Sequence, residues 1–225
     1  AWATLALANA VGIFYQVIPP DSARTATGRA TERALALDSS LGDAFIARGL
    51  MHFLLDWDFV AASEEFRRGM ARNPTTLAQA FAEYFPWEIG RFEEASRVGM
   101  HLIDLEPTTA QWQSDMGWNR WSAGDSTAAR TYVLRAIALD SSYGEPYMIL
   151  AFMDADWGNI PAARRSAERA AALSGGDYFM RQMLEGYILA RAGDSTGARR
   201  VLRAMGGDGR QAQRALLLAA LGDKD

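Results

Sequence analysis

The chain has 225 residues, 49% hydrophobic and 22% charged, an ordinary globular balance with enough length for a sizeable core. Its net charge of -4 argues against nucleic acid as the main ligand, because phosphate binding needs a basic face. With no cysteine, disulfides, thiolate metal sites and cysteine nucleophiles are excluded, and no run of 18 apolar residues offers a membrane span.

The opening stretch, 1–18, is apolar in places but lacks the basic start of a signal peptide. An alanine at position 1 reads as a mature form or a segment of something longer. This stretch begins the first of six expected helix pairs, at 1–40, with Pro19-Pro20-Asp21-Ser22 in a lengthened turn. The second pair spans 41–74, and there Asp56-Trp57-Asp58 replaces the expected turn glycine and adds one residue before Ala62. Its carboxylates read as turn and N-cap groups. The third pair, 75–107, carries Pro86 inside its first helix, where a kink is expected. Pairs at 108–141, 142–175 and 176–205 follow. A closing helix at 209–221 offers Arg210, Gln211, Gln213 and Arg214 for the wet outer face of a solenoid cap.

The pairs share one register. Gly90, Gly124, Gly158 and Gly193 stand 34, 34 and 35 residues apart, and Ala95, Ala129, Ala163 and Ala198 follow each by five. A glycine can take the left-handed conformation that ends the first helix. Asp-Ser after Gly124 and Gly193, or proline after Gly158-Asn159-Ile160, starts the second. The small alanine lets the two helices approach closely. Second helices end in related phrases: Ala34-Leu35-Ala36-Leu37-Asp38-Ser39 is nearly repeated by Ala136-Ile137-Ala138-Leu139-Asp140-Ser141, and Asn73-Pro74 and Glu106-Pro107 hold the same place elsewhere.

On these residues the chain resembles tetratricopeptide repeat proteins, most closely from about 43 to 205. The resemblance implies an all-α, right-handed solenoid of about six antiparallel helix pairs plus a C-terminal capping helix, forming one superhelical domain over 1–225. Leu54-Leu55-Asp56-Trp57-Asp58, with Glu64-Glu65-Phe66-Arg67-Arg68, resembles the repeat tails of bacterial signalling and regulatory proteins. All basic residues but Lys224 are arginine, which with the abundant alanine points to a GC-rich bacterial genome. The cytoplasm is slightly favoured over an extracytoplasmic compartment.

Catalytic and cofactor chemistry finds little footing. His52 and His101 are the only histidines, and neither has a second histidine or a suitably spaced carboxylate on its helix face, so no metal site is expected. Gly175-Gly176 and Gly206-Gly207 follow no strand and carry no phosphate-loop lysine. No Gly-x-Ser-x-Gly elbow occurs. A non-enzymatic chain without cofactor is expected. One polar trio stands out. Glu83 occupies the place of Gly49, Gly117, Ala151 and Gly186, while Arg120 and Asp154 share a packing place with His52 and Leu189. Charges at packing positions should pair, so Arg120 is expected to bridge Glu83 and Asp154, as a structural network or a polar anchor.

A second register of 34 to 35 residues carries Leu50, Tyr84, Trp118, Phe152 and Tyr187, a place that faces the concave surface in the resembled family. Phe53, Trp87 and Trp121 lie three residues on, and Met148 and Met183 four residues before. These aromatics either fill the space between first helices or form an exposed ligand surface, and the first helix, through Trp2, Leu5 and Leu7, is a third occupant of the groove. The inward-facing register favours a concave surface that binds a protein or peptide, as an amphipathic helix or extended apolar segment, without nucleic acid or membrane insertion. The array then serves as a sensory or assembly module. Alternatives are a structural subunit contacting through convex or terminal surfaces, with Phe66 and Tyr132 as exposed aromatics, and a sensor of a small apolar ligand.

Overall fold

The computed structural model describes residues 1–14, 17–72, 74–175, 178–205 and 211–222, with backbone alone at 14, 178–179 and 211–213. Two compact units, Ala1–Pro107 and Thr108–Asp225, meet in sequence at the junction of the third and fourth helix pairs. Among the described residues all regular structure is helical.

The first unit holds α1 (Trp2–Phe14), α2 (Pro20–Leu37), α3 (Gly42–Met51), α4 (Phe59–Met70), α5 (Thr76–Glu88) and α6 (Phe92–Leu105). Each odd helix packs on the even one that follows it, and α1 and α5 both pack on α3. Leu7, Ile46, Leu50, Phe66, Phe81 and Phe85 build the core, with alanines at the closest approaches. Leu7 is thus a core residue beside Leu50, while Trp2 and Leu5 of the same helix are exposed. The second unit holds α7 (Ala110–Ser122), α8 (Ser126–Leu139), α9 (Glu145–Asp156), α10 (Ile160–Leu173), α11 (Tyr178–Arg191), α12 (Ser195–Ala204) and α13 (Gln211–Leu221), packed in the same alternating way.

One turn recurs. Gly90, Gly124, Gly158 and Gly193 all have positive φ, between 74° and 85°. At each, the amide of the next residue reaches back to the carbonyl five positions earlier: Arg91 to Pro86 at 2.7 Å, Asp125 to Arg120 at 2.8 Å, Asn159 to Asp154 at 2.8 Å and Asp194 to Leu189 at 2.9 Å. This left-handed closure satisfies carbonyls that the helix end leaves open. Asp125 and Asp194 then accept the amides of Ala128 (3.0 Å) and Gly197 (2.8 Å), capping the second helices as expected. Ala95, Ala129, Ala163 and Ala198 are fully buried where the paired helices approach.

The second pair shows how an inserted residue is absorbed. The α3 helix widens into a π-helical turn, His52–Asp56. Trp57, five residues before Ala62, occupies the glycine place with φ 55° and ψ 24°. The closing amide, from Asp58, now reaches back six residues, to His52, at 3.1 Å. The extra residue therefore sits in the helix rather than the turn, as single-residue π-bulges do. Asp58 caps α4 by accepting the Ala61 amide at 2.9 Å.

Pro86 lies inside a first helix as expected, whereas the closing helix differs from its outward-facing reading. The α5 helix runs through Pro86 to Glu88, and the Pro86 carbonyl accepts the closing bond of the turn. In α13, Arg214 turns back to donate to the Leu202 carbonyl at 2.9 Å instead of facing water. Leu217 of that helix is buried, at the spot where Gly186 leaves no room for a Cβ. Arg210 and the start of the closing helix at Gly209 lie outside the described residues, as do the side chains of Gln211 and Gln213.

A Cβ built on Gly124 would meet open space, so the cost of substitution there is backbone conformation alone. Gly124→Val should destabilise by about 1–2 kcal/mol and lower the melting temperature by several degrees, with Gly124→Asn costing less. An unchanged melt for the valine variant would contradict the turn.

Candidate binding surface

In the first unit the expected aromatic column splits by depth. Leu50 is buried in the core, whereas Phe53, Tyr84 and Trp87 are half-buried. Phe53 meets Phe85 edge-on, with centroids 5.3 Å apart. Tyr84 lies 6.1 Å from Phe81 and 6.0 Å from Trp87, the latter edge to face. Such geometries exploit the ring quadrupole and hold each ring at a fixed tilt.

In the second unit the rings form a connected cluster. Trp118 and Trp121 are 5.3 Å apart, and each lies 5.6 Å from Phe152, with Trp121 stacked on it. Phe152 meets Tyr187 edge-on at 4.8 Å. Phe152 is 1% exposed and Tyr187 7%, so these two are interior, while Trp118, Trp121, Met148 and Met183 are half-buried around them.

Carboxylates pin the polar edges of these rings. The Trp118 indole donates to Glu145 at 3.2 Å, and Ser114 and Tyr143 donate to the same carboxylate. The Tyr187 hydroxyl donates to Asp156 at 2.7 Å, and Arg191 holds that aspartate at 2.9 Å. Burial, reinforced by the bond to Asp156, pushes the Tyr187 hydroxyl above the ordinary tyrosine value. Glu145 and Asp156 carry no repeat signature, and the Trp118 and Tyr187 rings they hold lie 27 and 31 residues away, so sequence spacing did not single them out.

The polar trio is distributed over both units. Glu83, on α5, is buried, and burial pushes its carboxyl up to about 8. In the repeat register, residue sizes are exchanged at this place. A Cβ on Gly117 would strike Val133, sixteen residues on, at 2.5 Å, whereas the position sixteen beyond Glu83 is the buried Gly99. In the second unit, buried Asp154 accepts from Arg130 of α8 at 3.3 Å, and that guanidinium also lies 5.5 Å from the Trp157 ring centre. Arg130 was not among the expected partners. Arg120 belongs to α7, in the second unit.

His52 corrects one sequence expectation. It does have a carboxylate on its own helix: Asp56 lies 2.8 Å from Nδ1, and Arg24 donates to the same aspartate. Hydrogen bonds from both groups, with their charges, hold Asp56 below the usual carboxylate range despite the opposing effect of partial burial. Phe66, expected as an exposed aromatic, is buried and sits 5.0 Å from Phe85.

No protein-family model matches the sequence, and no curated protein matches it. A solved structure from the functional characterization of Pseudomonas aeruginosa pilF aligns over 95% of this chain and 97% of its own, with a TM-score of 0.66 and 17% identity. That likeness shows the fold class: an all-α, tetratricopeptide-like helical-repeat solenoid.

Two measurements test these environments. Phe152→Ala empties an interior position and should cost about 3–5 kcal/mol, read as a shift in denaturant midpoint. For Glu83, both folded and unfolded chains hold the proton below about pH 4.5. Above that value the unfolded chain releases it first, so stability falls with rising pH until about 8. The loss is a few kcal/mol at most, at about 1.4 kcal/mol per pKa unit. Glu83→Gln should flatten that slope between pH 4.5 and 8, and parallel stability curves for the two proteins would refute the assignment.

Proposed function

We propose that this chain is a protein- or peptide-binding scaffold, and that its partner lies along the aromatic register Leu50, Phe53, Tyr84, Trp87, Trp118, Trp121, Met148, Phe152, Met183 and Tyr187. The supporting observation is a division of labour within that register. Leu50, Phe152 and Tyr187 are interior and fix the backing, while Tyr84, Trp87, Trp118 and Trp121 keep part of each ring outside the core. Rings held by neighbouring rings and by Glu145 are preorganised, and preorganisation lowers the ordering cost of association. Tryptophan and tyrosine are also the side chains that dominate binding hot spots. The partner is an amphipathic helix or an extended apolar segment; of Glu83, Arg120 and Asp154, the two buried acids act as a structural polar set and Arg120 is the candidate anchor beside the rings. The chain acts as a sensory or assembly module and carries no catalytic step of its own. Contact through convex or terminal surfaces has lost Phe66 as a candidate anchor and keeps the half-buried Tyr132.

Because removing Phe152 would empty the interior, the test leaves it intact. A pull-down from bacterial lysate should compare the native chain with a variant carrying Tyr84→Ala, Trp87→Ala and Trp121→Ala, shown to be folded by its melting curve. A partner retained by the native chain alone, and competed by a peptide from that partner, supports the register as the binding surface. Equal capture by both chains removes it.

A further inference from the structure

Beside the π-helical turn of the first unit lies a hollow of about 210 Å³, lined by Phe53, Leu54, Trp57, Phe59, Glu88 and Ile89. Three of its six lining side chains are aromatic, and their rings are mutually tilted: Phe53 and Phe59 by 53° at 6.1 Å, Trp57 and Phe59 by 56° at 6.3 Å. Trp57 is 75% exposed and Phe59 42%, an uncommon outlay of apolar surface for residues that the core does not use. Trp57 is also the only non-glycine residue with positive φ among the described residues. A bulky side chain is costly there, and glycine stands at the equivalent place in four other pairs. The fold thus holds an indole where its own turn would be more stable with glycine.

The hollow has one charge without a counterpart. Asp56, next to it, is already engaged by Arg24 and His52, and Asp58 caps α4. Glu88 has no basic partner among the described residues, and no basic side chain lines the hollow. Glu88 is exposed to solvent, and partial desolvation beside its apolar neighbours raises its carboxyl above the usual carboxylate range. An acidic group beside a wall of aromatic rings is complementary to an organic cation, which gains from the ring quadrupole and from the carboxylate together. The volume suits a single side-chain head group.

We propose that this hollow seats the guanidinium or ammonium group of a basic residue presented by a protein partner, with the rings of Phe53, Trp57 and Phe59 and the Glu88 carboxylate as its two recognition elements. This rests on the scaffold reading above, but its test uses small probes and needs no partner. Failure of the probes would leave the pull-down result standing.

The experiment titrates the intact chain with Nα-acetyl-arginine amide and, separately, with Nα-acetyl-citrulline amide, its neutral isostere. The readout is the indole N–H resonance of Trp57 in ¹H–¹⁵N spectra, assigned by its loss in Trp57→Phe. A saturable shift with the arginine probe is expected, at least tenfold weaker with citrulline and with Glu88→Gln, while the other resonances of that variant stay in place. A second variant, Phe59→Leu, should weaken the arginine response while keeping the charge. Equal responses to both probes, an unchanged affinity in Glu88→Gln, or no saturable shift would each overturn the proposal.

Discussion

The structure depends on one local constraint, the left-handed residue between the helices of a pair. Reversing the chain within two residues leaves carbonyls at the end of the first helix and amides at the start of the second without helical partners. A positive φ at Gly90, Gly124, Gly158 or Gly193 closes the first set through a backbone bond five residues long, and Asp125 or Asp194 closes the second. Only with the turn so tight does the fifth residue beyond it meet the preceding helix. There a fully buried alanine is the side chain that fits. The same geometry makes a one-residue insertion hard to place, and in the second pair the helix takes it up as a π-helical turn. The turn itself is kept, even with tryptophan in the left-handed position.

Acidic side chains at and near the interior are accommodated in different ways along the array. Asp154 takes a guanidinium from the neighbouring helix, and Asp156 is shared by a tyrosine hydroxyl and an arginine. Glu83 keeps its proton instead, because leaving a bare carboxylate in the interior costs more than holding the neutral acid near pH 7. Asp156 adds polar order to the aromatic cluster through Tyr187. With its carboxyl raised to about 8, Glu83 is the group from which a pH-dependent stability of the first unit is expected.

The aromatic register does two physical tasks. Rings at 4.8 to 5.6 Å around Phe152 replace the aliphatic packing that would otherwise fill the space between first helices. The register's half-buried members, Trp118 and Trp121, keep part of each ring outside the core, held at fixed tilts by their neighbours. Buried and half-buried rings therefore belong to one stack in this register.

The helix pairs, the glycine turns, the Asp58, Asp125 and Asp194 caps and the buried alanines were all readable from residue order. Each depends on φ, on a cap three residues away, or on a spacing of about 34 residues. The tertiary structure decided what each side chain faces. Phe66 turned inward, Arg130 of α8 came to Asp154, and Arg24 crossed 32 positions to share Asp56 with His52. Trp118 and Tyr187 found their acceptors 27 and 31 positions away. Backbone geometry at a turn is set by the residues in it, whereas the exposure of a ring or the partner of a charge is set by whichever side chains from other helices fill the remaining space.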